Sequence, residues 1–134
     1  MTMLWGVDVG GTKIEGVVLD SERLEVPLCR IRLDTEARNG YEHIVSQIKK
    51  LIDLMCAQVG AHPTIVGFGT PGVLDPKLNT LKNSNIECLN GKPFRDDLQK
   101  ALRVQIVLSN DANCFALAET LMGAGKGAKN AFGV

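Results

Sequence analysis

The sequence predicts an α/β fold in which helices pack against a mixed sheet. Three β-rich segments come first and are separated by turn residues, which is typical of an antiparallel meander. Two further strands then alternate with helices, so the predicted order is β-β-β-α-β-α-β-α. Right-handed crossovers would make the later strands parallel. The 134 residues, 45% of them hydrophobic, suffice for one domain with a buried core.

The first three strands are predicted from apolar, β-branched runs. Residues 3–9 and 14–19 flank the pair Gly10-Gly11, and two short strands joined by two glycines are typical of a hairpin. A second turn signal follows, after which residues 24–33 alternate roughly as a third strand would. The fold is therefore expected to begin with three antiparallel strands.

A long helix is predicted at residues 40–59 because apolar residues recur there at helical spacing. Asn39 is the expected N-cap, and Glu42, three residues later, can complete a capping box. Gly60 is expected to end the helix. The apolar face consists of Ile44, Ile48, Leu51, Ile52, Met55 and Val59.

Shorter elements alternate in the second half of the chain. They are a strand at 64–68, a loop at 73–90, a helix beginning near Pro93, a strand at 104–108 and a helix at 110–122. Proline is favoured at the first position of a helix. Acidic residues early in that helix and basic residues late in it match the helix dipole.

Composition and charge exclude several classes of function. The chain has 15 basic and 15 acidic residues, so it has no bulk attraction for nucleic acid or for an anionic membrane. No apolar run approaches the ~20 residues that span a bilayer, and the first residues do not form a signal peptide. The 4 cysteines contain no C-x-x-C pair, which favours core thiols in a reducing cytoplasm. Small solutes are the expected partners.

The segment after the first strand is the most informative one. Asp8 lies near the end of the strand, and Gly10 and Gly11 lack a Cβ, so the backbone could approach a phosphate closely. Thr12 offers a hydroxyl and Lys13 a cation, and the carboxylate could hold Mg²⁺. The alternative is a hairpin turn with both glycines at positive φ. The local residues leave both interpretations open, although a carboxylate in an apolar strand is costly unless it is used or paired.

A second candidate site is Asn110-Asp111, between the last predicted strand and the following helix. Ligands in open α/β sheets bind at the carboxyl ends of strands. Asp111 could therefore accept a proton from a substrate hydroxyl. The alternative is an N-cap role, which the residue type on its own favours.

The remaining candidates are loops rich in glycine and amide side chains, at 69–72, 83–85 and 90–92. Amides both donate and accept hydrogen bonds, which suits sugar hydroxyls. For most residues of these loops, however, turn chemistry is the favoured interpretation.

Together, three segments resemble motifs of the ROK family of sugar kinases and repressors. Residues 8–13 look like the family's first phosphate motif, residues 67–72 like its strand and turn beside the sugar, and residues 110–114 like its catalytic segment. The motifs occur in the right order over 100 residues, which makes the resemblance far more specific than any one of them.

The resemblance implies a ribonuclease-H-like (actin-like ATPase) fold with two lobes around a cleft. Residues 1–122 would form the amino-terminal lobe, and residues 123–134 a glycine-rich hinge and the start of the second lobe. Asp111 would be the base, and Gly72, Asn85 and Asn110 would line the hexose site with it. The implied activity is transfer of the γ-phosphate of ATP to a sugar hydroxyl.

In this resemblance, residues Asp8, Gly10, Gly11, Thr12 and Lys13 face the ATP phosphates and Mg²⁺. A structural Zn²⁺ is expected in the second lobe, and the full-length protein is expected to be a homodimer. The resemblance does not decide which hexose is phosphorylated.

Two other functions remain as alternatives. One is the ligand-sensing lobe of a ROK-type transcriptional repressor, which is disfavoured because the first strand is expected to begin near Met3 without a helix-turn-helix or a basic stretch before it. The other is a metal-dependent nuclease using Asp8 and Asp111, which the zero net charge disfavours.

We predict that residues 1–134 alone do not phosphorylate a sugar. The family's second phosphate loop, its adenosine site and its glutamate and histidine sugar contacts lie further along the family's chain. ADP release in the presence of ATP and a panel of hexoses measures the activity. Turnover above the rate without protein would contradict this prediction.

Overall fold

A computed structural model describes residues 3–23, 26–70 and 72–109 of the chain. The described part contains a five-stranded sheet, a two-stranded ribbon and two α-helices. The strands are β1 (Met3–Val9), β2 (Lys13–Asp20), β3 (Cys29–Asp34), β4 (Ile65–Gly69), β5 (Val73–Leu74), β6 (Leu81–Lys82) and β7 (Gln105–Ser109). The helices are α1 (Tyr41–Val59) and α2 (Phe94–Leu102).

The main sheet is mixed, as the sequence predicts. Its strand order is β3-β2-β1-β4-β7, with β1, β2 and β3 antiparallel to their neighbours in the meander. β1 and β4 pair in parallel, and so do β4 and β7. Helix α1 precedes β4, and helix α2 precedes β7. Each helix carries the chain back to the end of the sheet where the earlier strand began, so the next strand runs parallel to it.

The core lies between the sheet and the two helices. The predicted apolar face of α1 is confirmed, with Ile44, Ile48, Leu51, Ile52 and Met55 all buried. β1 contributes alternate residues Trp5, Val7 and Val9 to the same cluster, as the two-residue period of a strand requires. Burial of this apolar surface stabilises the fold and fixes the orientation of the sheet edge that carries the candidate site.

The predicted cap of the first long helix is wrong. Residues Ala37–Asn39 form a short 3-10 helix, and Gly40 rather than Asn39 occupies the N-cap position. Gly40 has φ 100° and ψ 176°, a conformation that glycine alone adopts without strain. No side chain caps the helix, so Glu42 does not complete a capping box.

Other element bounds differ by a few residues for identifiable reasons. β3 begins at Cys29 and not at residue 24, because Pro27 lacks an N–H and Leu28 makes the first strand-like bond, to Val18 O at 2.8 Å. Pro93 is the N-cap residue of α2 and not its first helical residue. The predicted loop at 73–90 contains the β5–β6 ribbon, whose strands are too short to show a period.

Two predicted elements lie outside the described residues. They are the helix at 110–122 and the hinge at 123–134. The division into a lobe at 1–122 and a hinge therefore stays a prediction.

The described cysteines agree with the prediction of core thiols. Cys29 is buried, Cys56 and Cys88 are half-buried, and all three are free. Burial raises the pKa of the Cys29 and Cys56 thiols, which disfavours the reactive thiolate. Within the described ranges, no helix has the length and apolar character needed to cross a membrane.

We predict that Gly16→Ala destabilises the fold. Gly16 lies on β2 opposite Val7, and a Cβ there would clash with Met55 Sδ and lie 3.2 Å from Leu51 Cδ2. Overpacking of this kind costs about 1–3 kcal/mol of the free energy of unfolding, measurable by urea denaturation. The double variant Gly16→Ala/Met55→Ala should be less destabilised than the sum of the two single variants. An additive double variant would contradict this account.

Candidate functional site

Three strand ends form one row at the edge of the sheet. Asp8 of β1 pairs with Gly69 of β4, and Gly69 pairs with Ser109 of β7. A hydrogen bond of 2.9 Å from Thr70 N to Ser109 O also joins the residue after β4 to the end of β7. Because these strands are parallel, the chain segments that follow them begin at the same edge. The structure thus brings together the first two motifs of the sequence and the residue that directly precedes Asn110.

Asp8 is the acidic residue of this row. It is half-buried and stands opposite Glu15 of β2, on the sheet face opposite to that of Val7 and Val9. The Oδ1 atom of its carboxylate is buried. Asp8 therefore lies one residue before the end of β1, beside the loop that contains the paired glycines.

Gly10 and Gly11 differ in whether the fold leaves room for a side chain. A Cβ on Gly10 would lie 2.9 Å from Lys13 O, the atom that accepts a hydrogen bond from Gly10 N, so the turn itself requires glycine there. A Cβ on Gly11 would meet no atom within 4 Å. Neither glycine has a positive φ, so the alternative of a positive-φ hairpin turn is wrong. The fold supplies neither a steric nor a conformational reason for glycine at position 11.

Thr12 and Lys13 complete the loop and are exposed. Lys13 Nζ forms an ion pair and hydrogen bond with Asp34 Oδ1 at the end of β3. This bond, together with the lysine charge, holds the pKa of the Asp34 carboxyl below its usual value. Asp34 is exposed, so water screens the pair and its contribution to stability is small. The ion pair therefore keeps the lysine ammonium group beside the end of β3, next to the glycine loop.

A cleft of about 400 Å³ opens beside the row of strand ends. It contains Gly72, which the sequence predicts as a sugar contact, and Ser109. Arg95 of α2 also lines it, and its guanidinium donates to Asn79 Oδ1 at 2.9 Å. Polar groups and apolar side chains thus meet in one concave space, as small-molecule sites require. The residues of the wall are Thr70, Gly72, Val73, Leu74, Leu81, Arg95, Leu108 and Ser109.

Gly72 is required by the packing of this cleft. A Cβ there would lie 2.8 Å from Lys82 O and 3.1 Å from Ser84 Cβ. The chain therefore passes so close to the end of β6 that no side chain fits. This close approach explains the glycine without a ligand, in agreement with the turn interpretation of the loop.

Asn85 lies in a different cavity from Gly72. A space of about 580 Å³ is lined by Asn85 and Gly11 together with Arg38 and Cys88. A neighbouring space of about 400 Å³ contains Gly11, Thr12, Asp34 and Arg38. One candidate sugar residue and one candidate phosphate residue therefore share a cavity, whereas the two candidate sugar residues Gly72 and Asn85 do not.

The loop before Asn85 is fixed by side-chain bonds to the backbone. Ser84 N donates to Asn90 Oδ1 at 2.9 Å, and Asn90 Nδ2 donates to Ser84 O at 2.9 Å. Ser84 Oγ accepts from Ile86 N at 3.0 Å. Asn85 stands exposed between these anchored neighbours, so its amide is available to a solute.

Sequence reasoning missed three residues near the site. Arg38 and Arg95 line the cavities, and the buried Thr35 bonds to the glycine loop. Their signal in the sequence is weak because each is a single polar residue that belongs to no motif. Asn110 and Asp111 lie outside the described residues. The described residues contain no group of three or more His, Cys, Asp or Glu side chains that could hold a metal ion.

Comparison with curated proteins gives a consistent set of relatives. The chain is 38% identical over 117 residues to an N-acetyl-D-glucosamine kinase of Pectobacterium atrosepticum, covering 87% of this chain and 37% of that protein. It is 33% identical over 132 residues to the N-acetylgalactosamine kinase AgaK of a Shewanella species, covering 98% of this chain and 41% of that protein. The chain thus spans about two fifths of the length of these relatives.

Solved structures agree with these relatives. The described fold is similar to that of a ROK family glucokinase from Streptomyces griseus in complex with glucose and AMPPNP, with a TM-score of 0.71, 30% identity and coverage of 94% of this chain and 38% of that one. A ROK hexokinase from Thermus thermophilus matches with a TM-score of 0.70 and 28% identity, covering 88% of this chain and 38% of that one. The fold is that of the actin-like ATPases, as the resemblance implies.

The model of one protein family, the ROK family, matches residues 4–134. This match covers nearly the whole chain and includes all three motifs at 8–13, 67–72 and 110–114. The two solved structures are named as ROK proteins, and the two curated relatives are named as sugar kinases. The chain belongs to the ROK family.

Proposed function

We propose that this chain is the amino-terminal lobe of an ATP-dependent hexose kinase, which transfers the γ-phosphate of ATP to a sugar hydroxyl. The observation that carries the proposal is the row formed by Asp8, Gly69 and Ser109. It aligns the phosphate motif with the turn at residues 69–72 and with the strand that leads to Asp111. A phosphoryl transfer needs such alignment, because positioning and electrostatics supply most of its catalysis.

The glycine loop fits the phosphates of ATP. The open space at Gly11 lets a phosphate oxygen approach the backbone, and Lys13 places a cation at the mouth of the loop. Asp8 supplies a carboxylate beside it. One carboxylate suits Mg²⁺, which keeps several waters and is otherwise bound by substrate phosphates. Bound Mg²⁺ would neutralise charge on the phosphates.

The sugar is proposed to bind across the clefts that contain Gly72 and Asn85. Asp111 follows Ser109 by two positions in the sequence, so the proposal assigns it the role of the base that accepts the proton of the sugar hydroxyl. Asn110 would assist by orienting the hydroxyl. The relatives named for N-acetyl-D-glucosamine, N-acetylgalactosamine and glucose support a hexose as the substrate class.

Several features of the full-length kinase belong to the same proposal. They are a cytoplasmic location, a homodimer, a Zn²⁺ ion in the second lobe and the absence of nucleic-acid binding. The chain is also similar in fold to a ROK family transcriptional regulator at 13% identity. A likeness at this identity concerns the fold alone and does not favour the repressor alternative.

We predict that Gly11→Ala weakens ATP binding without unfolding the lobe. The new methyl group meets no protein atom within 4 Å, so the free energy of unfolding should change by less than about 0.5 kcal/mol. The same methyl group would occupy the space proposed for a phosphate, and the KM for ATP should rise by about tenfold or more. Urea denaturation and steady-state kinetics of the full-length kinase measure the two effects.

Gly10→Ala is the matched control. Its methyl group would press on Lys13 O, so the protein should lose stability as well as nucleotide affinity. Normal ATP kinetics in a folded Gly11→Ala variant would refute the proposed phosphate site.

We predict that Asp111→Ala lowers kcat of the full-length kinase by about 10²–10⁴-fold, the usual contribution of a general base. Asp111→Asn should be equally impaired because the amide cannot accept the proton. Nucleotide affinity, measured by calorimetry, and the thermal midpoint should stay close to those of the unchanged protein. An active Asp111→Ala enzyme would remove the proposed mechanism.

A further inference from the structure

One buried hydroxyl contacts the glycine loop from outside it. Thr35 directly follows β3 and is 0% exposed. Its Oγ1 donates a hydrogen bond to Gly10 O at 2.7 Å, and its backbone N–H donates to Thr12 O at 2.9 Å. A single residue, 25 positions away from Gly10 in the sequence, thereby binds both sides of Gly11.

The bond to Gly10 O fixes the direction of the peptide group between Gly10 and Gly11. The Gly10–Gly11 peptide bond is trans, so its C=O and N–H point in opposite directions within one plane. Because Thr35 holds the carbonyl of Gly10, the N–H of Gly11 points away from Thr35. Gly11 is exposed, and its side-chain position is open. The hydroxyl therefore determines where this backbone donor is directed.

Two neighbouring contacts of the loop do not act on this peptide. The bond from Gly10 N to Lys13 O closes the turn but engages neither the carbonyl of Gly10 nor the N–H of Gly11. The ion pair of Lys13 with Asp34 is exposed and acts on a side chain. The buried Thr35 hydroxyl, by contrast, bonds directly to the carbonyl of the peptide between the glycines.

We infer that Thr35 is a positioning residue for nucleotide binding. Its hydroxyl holds the Gly10–Gly11 peptide so that the N–H of Gly11 is presented to a phosphate oxygen of ATP. This inference rests on the proposed function of the glycine loop. Thr35 itself touches no substrate, and it acts through the backbone of Gly10.

Two variants of the full-length kinase test this role. Thr35→Val keeps the shape of the side chain and removes the donor, whereas Thr35→Ser keeps the donor. Thr35→Val should raise the KM for ATP by about five- to tenfold, the usual effect of one lost hydrogen bond, and change the KM for the sugar by less than about twofold. Thr35→Ser should stay within about twofold of the unchanged enzyme for both substrates.

Tyr41→Phe is the control for general destabilisation. It removes a half-buried hydrogen bond from Tyr41 Oη to Asp97 Oδ2 of 2.6 Å, between α1 and α2 and outside the glycine loop. It should lower the thermal midpoint and leave the KM for ATP unchanged. An equal rise in the KM for ATP in Tyr41→Phe and Thr35→Val would overturn the specific role of Thr35.

A second measurement separates this inference from the proposed function. Backbone ¹⁵N relaxation of the protein without nucleotide should show a lower order parameter at Gly11 in Thr35→Val than in Thr35→Ser. Unchanged order at Gly11, or a Thr35→Ser enzyme as impaired as Thr35→Val, would overturn the inference. If the unchanged protein phosphorylates no sugar and binds no ATP, the kinase proposal fails, while a lowered order parameter still establishes that Thr35 orders the loop.

Discussion

The parallel pairing of β1, β4 and β7 is the constraint on which the candidate site depends. Backbone hydrogen bonds fix the register that places Asp8 beside Gly69 and Gly69 beside Ser109. A slip of one residue along any of these strands would turn every side chain of that strand to the opposite face. The buried alternation of β1 prevents such a slip, since Val7 and Val9 belong to the hydrophobic core and must stay on its face of the sheet. The core that stabilises the sheet thus also sets the geometry of its edge.

The two helices have a second effect on the edge. They pack against one face of the sheet and form the crossovers that make β1, β4 and β7 parallel. α2 also carries Arg95 into the cleft beside Ser109, and its neighbour Asp96 accepts a hydrogen bond from Asn79 at 2.6 Å. Asn79 belongs to the turn between β5 and β6, so the ribbon, the helix and the cleft wall are joined through one amide side chain.

The sequence predicts the parts of the fold that repeat a pattern. The apolar face of α1 and the β1–β2 hairpin follow from periodicity and turn residues, and the parallel strands follow from the handedness of crossovers. Isolated contacts between distant residues were not predictable in this way. The bonds of Thr35 to Gly10 and of Asn90 to Ser84 depend on where the folded chain places single polar side chains, and no local spacing encodes them. Gly40, and not the predicted Asn39, is the N-cap residue because the chain enters α1 with a positive φ at that position.

The same distinction holds for the candidate site. Motif spacing identified Asp8, Gly11 and Gly72, but it could not show that Gly72 is needed for packing whereas Gly11 is not. The difference depends on how closely atoms that are distant in the sequence approach each glycine in the folded chain.

An exposed loop that binds a highly charged ligand faces an entropic difficulty. Residues 11–13 are exposed, and ordering them at the moment of binding would cost about 1–2 kcal/mol for each residue. A loop that is already ordered avoids most of that cost, so more of the interaction with the ligand appears as affinity. Thr35 donates a hydrogen bond to the loop, and Asp34 accepts one from Lys13. Both residues lie at the end of β3, which the β2–β3 register holds against Lys13. The third strand of the meander therefore contributes to the site by ordering the loop between the first two.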